Sequence, residues 1–383
     1  MNLTARIISV YAADISGVCS ALYEYGGMTV IHDASGCNST YTTHDEPRWY
    51  DTDSMVYISA LTENDAVMGN DEKFISDLCD AAEKLSPSFI AVCGSPMPAM
   101  TGVDLEAIAY DTGNRTGVPA FAVKTNGMHS YISGAGRAFE TIAEMFSEPM
   151  EKSDAFSVNI LGATPLDLSL NGTVGSIKEL LRSNGIEVNA CLGMGSSLDE
   201  VKRLSAAHAD LVISSAGKLT AEYLLKEYGV PYVIGIPFGG KFSDRLTEAL
   251  REAAASGKCT DIFGECRKTG YDLAIVGESI LSSSLAAALS LEKDISARVV
   301  ESVGDSDKSV LLDTDISAED EDIIEKELER SHTVIADPLF APICRKPHFI
   351  RLPHEAFSGR CFSKEIPNLI GTELDKFIEK VKV

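Results

Sequence analysis

Three cysteines in the first hundred residues stand beside predicted strand ends or glycine-containing turns. Cys19 lies in the stretch ISGVCSAL, Cys37 follows Gly36 in DASGCNST, and Cys93 follows the apolar run FIAV. A thiolate in such a place can ligate zinc or an iron–sulfur cluster or act as a nucleophile, and a protonated thiol can simply be buried. Because the sequence contains no CxxC, spacing alone gives only a weak indication of a metal site.

A polar segment follows Cys37. It contains two acidic residues, an imidazole, a guanidinium and the only tryptophan of the chain, namely His44, Asp45, Glu46, Arg48 and Trp49. Such a segment can border an active cavity or dock a partner, and it can equally be a surface loop. The sequence leaves these alternatives open.

Alternating strand and helix patterns predict an α/β fold of three Rossmann-like domains, with mainly parallel sheets flanked by helices. The predicted domains are residues 1–150, which carry the three cysteines, residues 151–265 and residues 266–383, with a linker around 255–270. Predicted strands of the first domain are ARIISVYA, MTVIHD, MVYISAL, FIAVCGS and PAFAVKT. Those of the second are FSVNILGAT, IEVNACLGM, ADLVISS and VPYVIGIPFG, with helices at TVGSIKELLRSNG, SLDEVKRLSAAHA and LTAEYLLKEYG. The third continues through YDLAIVGES, ISARVVES, KSVLLDT, an acidic capped helix near 318–330, HTVIADP and PHFIRLP.

Ligands of such folds collect where loops leave the carboxyl ends of the strands. Cys19, Cys37 and Cys93 are predicted to lie in three successive loops of this kind within one domain. They can therefore converge on one edge of its sheet.

Composition excludes several classes of protein. The formal charge of −24, from 33 basic and 57 acidic residues, disfavours binding to nucleic acid or to anionic membranes. No apolar stretch has the length of a membrane span, and Asp14 interrupts the apolar N-terminus, so we expect a first strand there and not a signal peptide. Nine dispersed cysteines fit a reducing, cytoplasmic setting better than a disulfide framework. Neither GxGxxG nor a GxxxxGK[ST] P-loop occurs.

The N-terminal half resembles the first domain of the nitrogenase component 1 family. The likeness rests on an ordered set of features: ISGVCSALYEYGGMTVIHDASGCNSTYT, the acidic segment ENDAVMGNDEK, the turn CGSP, and the glycines of GMHSYISGAG. This family includes subunits of the molybdenum-iron protein, cofactor-assembly scaffolds and protochlorophyllide reductases. The resemblance implies an oxidoreductase that receives electrons from a separate ATP-hydrolysing iron protein.

The resemblance also implies a ligand set. Cys19, Cys37 and Cys93 fall on the three cysteines by which family subunits hold a cluster at their interface. The short spacing from Cys19 to Cys37 leaves two alternatives open, an eight-iron cluster across a twofold axis or a [4Fe–4S] cluster completed by a ligand such as Asp33. Asp33 and His32 can also be ordinary strand-end residues. We interpret Cys37 as a ligand and not a nucleophile, since no histidine and carboxylate pairing typical of an activated thiol is identifiable around it.

Later segments resemble the family more weakly. Ser214 stands where nitrogenase has the cysteine ligand of its catalytic metal cofactor, and His354 stands where it has the histidine ligand. We therefore expect no iron–molybdenum cofactor and no dinitrogen reduction, and His354 is a candidate catalytic residue or a packed loop histidine. Of the remaining cysteines, Cys79 and Cys191 are expected to be packing residues. Four others flank loops and allow a second cluster: Cys259, Cys266, Cys344 and Cys361.

Three functional hypotheses follow. The first is a nitrogenase-like reductase component, working as a homodimer or as a heterodimer with a related subunit. The second is a non-catalytic scaffold for metallocofactor assembly that carries the same cluster. The third is a small-ligand binding module in which the cysteines are structural.

Overall fold

A computed structural model describes residues 12–34, 46–345 and 348–381. Three entirely parallel sheets, each flanked by helices, follow one another along these residues, which confirms the predicted fold class. Four of the predicted features lie outside the described residues: Cys37, His44, Asp45 and most of the strand ARIISVYA.

The first sheet has four strands in the order β2-β1-β3-β4. Its strands end at a common edge, since Ile31 of β1 pairs with Cys93 of β3. The elements in chain order are α1 (Asp14–Leu22), β1 (Met28–His32), β2 (Met55–Ile58), α2 (Glu63–Met68), α3 (Asp71–Leu85), β3 (Ile90–Gly94), α4 (Pro96–Thr101), α5 (Leu105–Thr116), β4 (Ala120–Val123) and α6 (Tyr131–Phe146).

The second sheet has the order β6-β5-β7-β8-β9. Its elements are β5 (Ser157–Leu161), α7 (Pro165–Leu168), α8 (Thr173–Ser183), β6 (Glu187–Cys191), α9 (Leu198–Lys202), β7 (Ala209–Val212), α10 (Lys218–Tyr228), β8 (Tyr232–Ile234), α11 (Gly240–Ser256), β9 (Thr260–Asp261) and α12 (Phe263–Cys266). The linker predicted at 255–270 is wrong in part, because β9 pairs with β8 and so belongs to this sheet.

The third sheet has the order β12-β11-β10-β13-β14. Its elements are β10 (Leu273–Gly277), α13 (Ser279–Lys293), β11 (Ala297–Glu301), β12 (Ile316–Ser317), α14 (Glu321–Leu328), β13 (Thr333–Ala336), β14 (His348–Arg351), α15 (Glu355–Ser358) and, after a 3₁₀ segment at Gly359–Glu365, α16 (Glu373–Ile378). The acidic helix near 318–330 is confirmed as α14. Its N-cap, Asp320, accepts hydrogen bonds from the backbone N–H groups of Asp322 and Ile323.

The strand predicted at KSVLLDT is wrong. Lys308–Val310 form a 3₁₀ turn, which the Asp307 carboxylate caps by accepting a hydrogen bond from the Ser309 N–H. The Asp315 carboxylate accepts another from the Leu312 N–H at 2.8 Å. Because side chains already satisfy these backbone donors, this apolar run forms no sheet ladder.

Helices α1 and α6 pack unusually closely, and glycines make this possible. A Cβ on Gly17 would lie 2.0 Å from the Tyr131 carbonyl oxygen, and one on Gly134 would lie 1.8 Å from that of Asp14. Only glycine permits this approach of two backbones. The contact positions Cys19, two residues after Gly17 on α1.

Candidate functional site

Two of the three predicted cluster cysteines meet in the interior. Cys93 lies near the end of β3, as predicted, and Cys19 lies in α1 and not in the turn that the sequence indicated. Both residues are fully buried. The side-chain hydrogen bond to Cys93, together with burial, raises the pKa of the Cys19 thiol well above its usual value. Two thiols in contact at the end of a parallel strand are a soft donor pair of the type that iron–sulfur clusters use.

Arg48 fixes the chain around Glu46 through a set of buried hydrogen bonds. Its guanidinium is almost fully buried and donates to the Glu46 carboxylate at 2.6 Å and to Glu24 at 2.8 Å. It also donates to the carbonyl oxygens of Ser20 at 2.7 Å, beside Cys19 on α1, and of Gly193 at 2.8 Å, beyond β6. Arg48 therefore ties the chain around Glu46 to α1 and to the second sheet.

Glu46 and Arg48 are consequently interior residues and not part of a surface loop. Trp49, next to them, is 37% exposed, so the surface begins there. The negative charge of Glu46 contributes to the raised pKa of Cys19.

His32 and Asp33 lie at the end of β1, beside Cys93. The His32 ring stacks on Phe74 with centroids 4.3 Å apart, and its Nδ1 is 2.9 Å from the Ser59 hydroxyl. Burial lowers the pKa of His32, which favours the neutral ring. Asp33 is buried and accepts a hydrogen bond from the Ser95 hydroxyl at 2.5 Å. These contacts are those of packed strand-end residues, and they leave Asp33 at the same sheet edge as Cys93.

A second group of polar side chains centres on Asp167, which lies on α7 after β5. Its carboxylate accepts hydrogen bonds from the Tyr131 hydroxyl and, at 2.6 Å, from the Ser214 hydroxyl. The Nε2 atom of His354 is 3.3 Å from the same carboxylate, close enough for an ion pair but not aligned for a hydrogen bond. Elements of all three sheet regions thus contribute to one buried site.

The tautomer of His354 follows from its other ring nitrogen. Nδ1 accepts a hydrogen bond from the backbone N–H of Ala356 at 3.2 Å. In the neutral ring the proton therefore resides on Nε2, the nitrogen nearer Asp167. The serine–aspartate–histidine order differs from that of a hydrolase triad, because the Ser214 hydroxyl donates to the aspartate and not to the histidine.

Glu278 adds a second buried carboxyl to this region. It caps α13 directly after β10, accepts a hydrogen bond from the Leu281 N–H at 2.7 Å and accepts others from Ser215. Burial, together with the nearby charge of Asp167, raises the pKa of Glu278 to about 7. Sequence reasoning missed Asp167, Glu278 and Tyr131. Glu278 could have been found from its place directly after the predicted strand of YDLAIVGES.

Two spaces adjoin these residues. A cavity of about 40 Å³ is lined by Asp167, His354, Leu281 and Phe357 among others. An open groove of about 910 Å³ is lined by residues that precede β2, follow α7 or follow β14, namely Pro47, Tyr50, Ser169, Leu170, Asn171, Glu355, Arg360, Cys361, Phe362, Ser363, Lys364, Glu365 and Ile366. The groove is of the size that binds cofactors or substrates, and the cavity has room for a few water molecules.

The other cysteines do not assemble. Cys191 ends β6 and is buried, as predicted, and Cys79 is a half-buried residue of α3. Across the described ranges, no three or more histidine, cysteine, aspartate or glutamate side chains are grouped so as to hold a metal ion. The four loop cysteines therefore form no second site there.

Residues 17–327 match the family described as nitrogenase component 1 type oxidoreductase. The chain belongs to this family. The match includes Cys19, Cys37, Cys93 and the second sheet. It ends before β13, so His354 lies beyond it.

Curated members of the nitrogenase component 1 family with similar sequences include subunits of light-independent protochlorophyllide reductase. The chain is 27% identical to the subunit from Chloroflexus aggregans over 174 residues, which are 45% of this chain and 32% of the relative. It is 26% identical to the corresponding subunit from Pelodictyon phaeoclathratiforme over 222 residues, 56% of this chain and 40% of the relative. The matched stretches thus span about a third of the length of the first of these relatives.

The fold is also similar to that of solved structures described as nitrogenase Cp1. A structure described as nitrogenase Cp1 at pH 6.5 has a TM-score of 0.70, 17% sequence identity, and coverage of 99% of this chain and 93% of its own. A second structure, described as nitrogenase Cp1 at pH 5, has a TM-score of 0.58 and 19% sequence identity. The match covers 86% of this chain and 72% of that one. None of the helices in the described ranges is long and apolar enough to cross a bilayer.

Proposed function

We propose that this protein is a nitrogenase-like reductase component that passes electrons through an iron–sulfur cluster to a bound substrate other than dinitrogen. The observation that carries the proposal is the buried contact between the Cys19 and Cys93 thiols in a chain of this family. The proposed ligands are Cys19, Cys37 and Cys93. Bound there, the cluster would supply one-electron chemistry, and the chain would set its potential through burial and neighbouring charges such as Glu46.

Partners are part of the proposal. The electrons would come from an ATP-dependent iron protein, and a twofold homodimer or a heterodimer with a related subunit would complete the cluster site. Three thiolates from each of two chains would hold an eight-iron cluster, whereas a [4Fe–4S] cluster would be shared between the chains or completed by a further ligand such as Asp33. The setting would be cytoplasmic, without nucleic acid or membrane as a ligand.

We place the substrate in the 910 Å³ groove, where residues from all three parts of the fold meet. The named activity of the relatives suggests protochlorophyllide as a first probe. An iron–molybdenum cofactor is not proposed. The Ser214 hydroxyl is engaged by Asp167, and the cavity beside His354 measures only about 40 Å³.

Iron and acid-labile sulfide in anaerobically purified protein test the cluster. The wild type should hold iron, and Cys19→Ala and Cys93→Ala should each lose it. Cys191→Ala is the matched control, since Cys191 is also a buried cysteine at the end of a strand. A wild-type protein that stays colourless and iron-free after anaerobic reconstitution would refute the proposal.

The second candidate is a scaffold for metallocofactor assembly. The absence of a cysteine at Ser214 is compatible with either role. The two are separated by supplying the reduced iron protein, ATP and protochlorophyllide to the cluster-loaded protein. Repeated turnover supports the reductase, whereas transfer of the cluster to an acceptor protein without turnover supports the scaffold.

A further inference from the structure

The wall of the groove contains one carboxyl group that is almost fully buried. Glu355 is 3% exposed and begins α15, directly after His354. Glu365 lines the same groove but is about half exposed, and its carboxylate pairs with Arg351 at 3.1 Å. Two glutamates of one groove thus lie in opposite environments.

The hydrogen bonds that Glu355 accepts come from hydroxyl groups. The Ser169 hydroxyl donates to Oε1 at 3.0 Å, and the Ser363 side chain is a second partner. Hydroxyls are neutral and can donate to a carboxylate or accept from a carboxylic acid. They therefore hold the carboxyl group in place in either protonation state. Burial raises the pKa of Glu355, which increases the share of the acid form near neutral pH.

Glu355 also lies near the proposed cluster site. The charge of Glu46 acts both on Cys19 and on Glu355, so Glu46 lies within electrostatic range of both groups. The Ala12 N–H donates to the Ala356 carbonyl oxygen at 3.0 Å, which ties α15 to the residues just before α1. The groove thus brings a buried acid close to the helix that carries Cys19.

Reduction of a bound organic substrate consumes protons as well as electrons. We propose that Glu355 is the acid that protonates the substrate in the groove. The O–H bond of the Glu355 carboxylic acid breaks, a bond to the substrate atom that has received electrons forms, and the carboxylate regains a proton from water in the groove. The electrons come from the cluster, so the inference rests on the proposed function.

The other charged groups at this place are identifiable. Glu46 and His354 lie within electrostatic range of Glu355, and Arg360, Lys364 and Glu365 line the same groove. The charge of Glu46 raises the pKa of Glu355 and that of His354 lowers it. A change of protonation at Glu355 must therefore be separated from effects of these neighbours.

Four variants separate the protonation of Glu355 from the effects of its neighbours. They are Glu355→Gln, Glu355→Asp, Glu365→Gln and, as a control for activity, Glu83→Gln. Protochlorophyllide reduction by the cluster-loaded protein with dithionite-reduced iron protein and ATP is measured against pH. For loss of a general acid we expect Glu355→Gln to lower kcat by about 100-fold or more, with KM little changed. Glu355→Asp should recover part of the rate. Glu83→Gln, at an exposed position of α3 that does not line the groove, should match the wild type. The wild-type rate should fall as pH rises through the pKa of Glu355, and the residual rate of Glu355→Gln should not.

A second measurement does not depend on turnover. Infrared difference spectra of the protein across pH should contain carboxylic acid bands that titrate above the ordinary glutamic acid range, and Glu278 should contribute one in every variant. The band of Glu355 is the one that is present in the wild type and in Glu365→Gln and missing in Glu355→Gln. A band that titrates at the ordinary value, or normal kcat in Glu355→Gln, would overturn the assignment. A wild type without iron or turnover would instead count against the proposed function, and the infrared titration would then test the raised pKa of Glu355 by itself.

Discussion

Replacing Arg48 tests whether the buried guanidinium holds the chain around Glu46 against α1 and the second sheet. In Arg48→Met the side chain keeps similar length and loses its charge and its donors. Glu46, which is 2% exposed, would then be a buried carboxylate without the guanidinium that compensates it. Removing one partner of a buried ion pair costs about 3 to 5 kcal/mol, so we expect the free energy of unfolding to fall by that amount.

Urea unfolding of the metal-free protein, followed by circular dichroism, measures this loss. Arg182→Met is the control, because Arg182 and its partner Glu179 are both more than 70% exposed, and such a pair contributes about 0 to 1 kcal/mol. The double variant Arg48→Met/Glu46→Gln should be more stable than Arg48→Met alone, since it no longer buries an uncompensated charge.

Two results would refute this reasoning about Arg48. One is a loss of less than about 1 kcal/mol in Arg48→Met, which is within the range of an exposed pair. The other is a double variant that is no more stable than the single one. We also expect Arg48→Met to retain less iron on reconstitution, because Arg48 bonds to the Ser20 carbonyl beside Cys19.

Three further variants, one of them with a matched control, test the packing and the buried carboxyl groups. Folding raises the pKa of Glu278 from 4.5 to about 7. The protonated carboxyl group therefore stabilises the fold below pH 4.5, and this stabilisation is lost as pH rises through 7. Between pH 4.5 and pH 8 the unfolding free energy of Glu278→Gln should therefore rise relative to wild type by about 3 kcal/mol, at 1.36 kcal/mol per pH unit, in parallel urea titrations. Gly17→Ala should lower the free energy of unfolding by several kcal/mol and reduce the iron content of the protein. The control is Gly175→Ala, at an exposed helical position with open space around it, which should leave stability unchanged or raise it by up to about 1 kcal/mol. Equal unfolding midpoints for the two variants would contradict the close packing of α1 on α6. Tyr131→Phe should cost about 1 to 3 kcal/mol, because the buried Asp167 carboxylate loses a hydrogen-bond donor, and unchanged thermal unfolding would count against that bond.

Local patterns were sufficient for most of the fold. Continuous apolar runs of four to five residues marked β3 and β10, because strands buried on both faces by helices have no polar side. The same reasoning failed at KSVLLDT, where the capping carboxylates of Asp307 and Asp315 outweigh the apolar pattern. It also placed Cys19 in a turn, since a glycine such as Gly17 is typical of turns, whereas here it admits the backbone of α6.

The amino-acid sequence by itself determined the α/β class, the family and the position of Cys93 at a strand end, because these depend on patterns within a few residues of one another. Only the tertiary structure placed the Cys19 thiol against Cys93, buried Arg48 among Glu24, Glu46 and Gly193, and brought Asp167 to His354. Those contacts join residues up to 187 positions apart, from Asp167 to His354, and depend on how helices and sheets pack. No local periodicity encodes such distances, so side chains that share a site appear in the sequence as separate, ordinary strand-end residues.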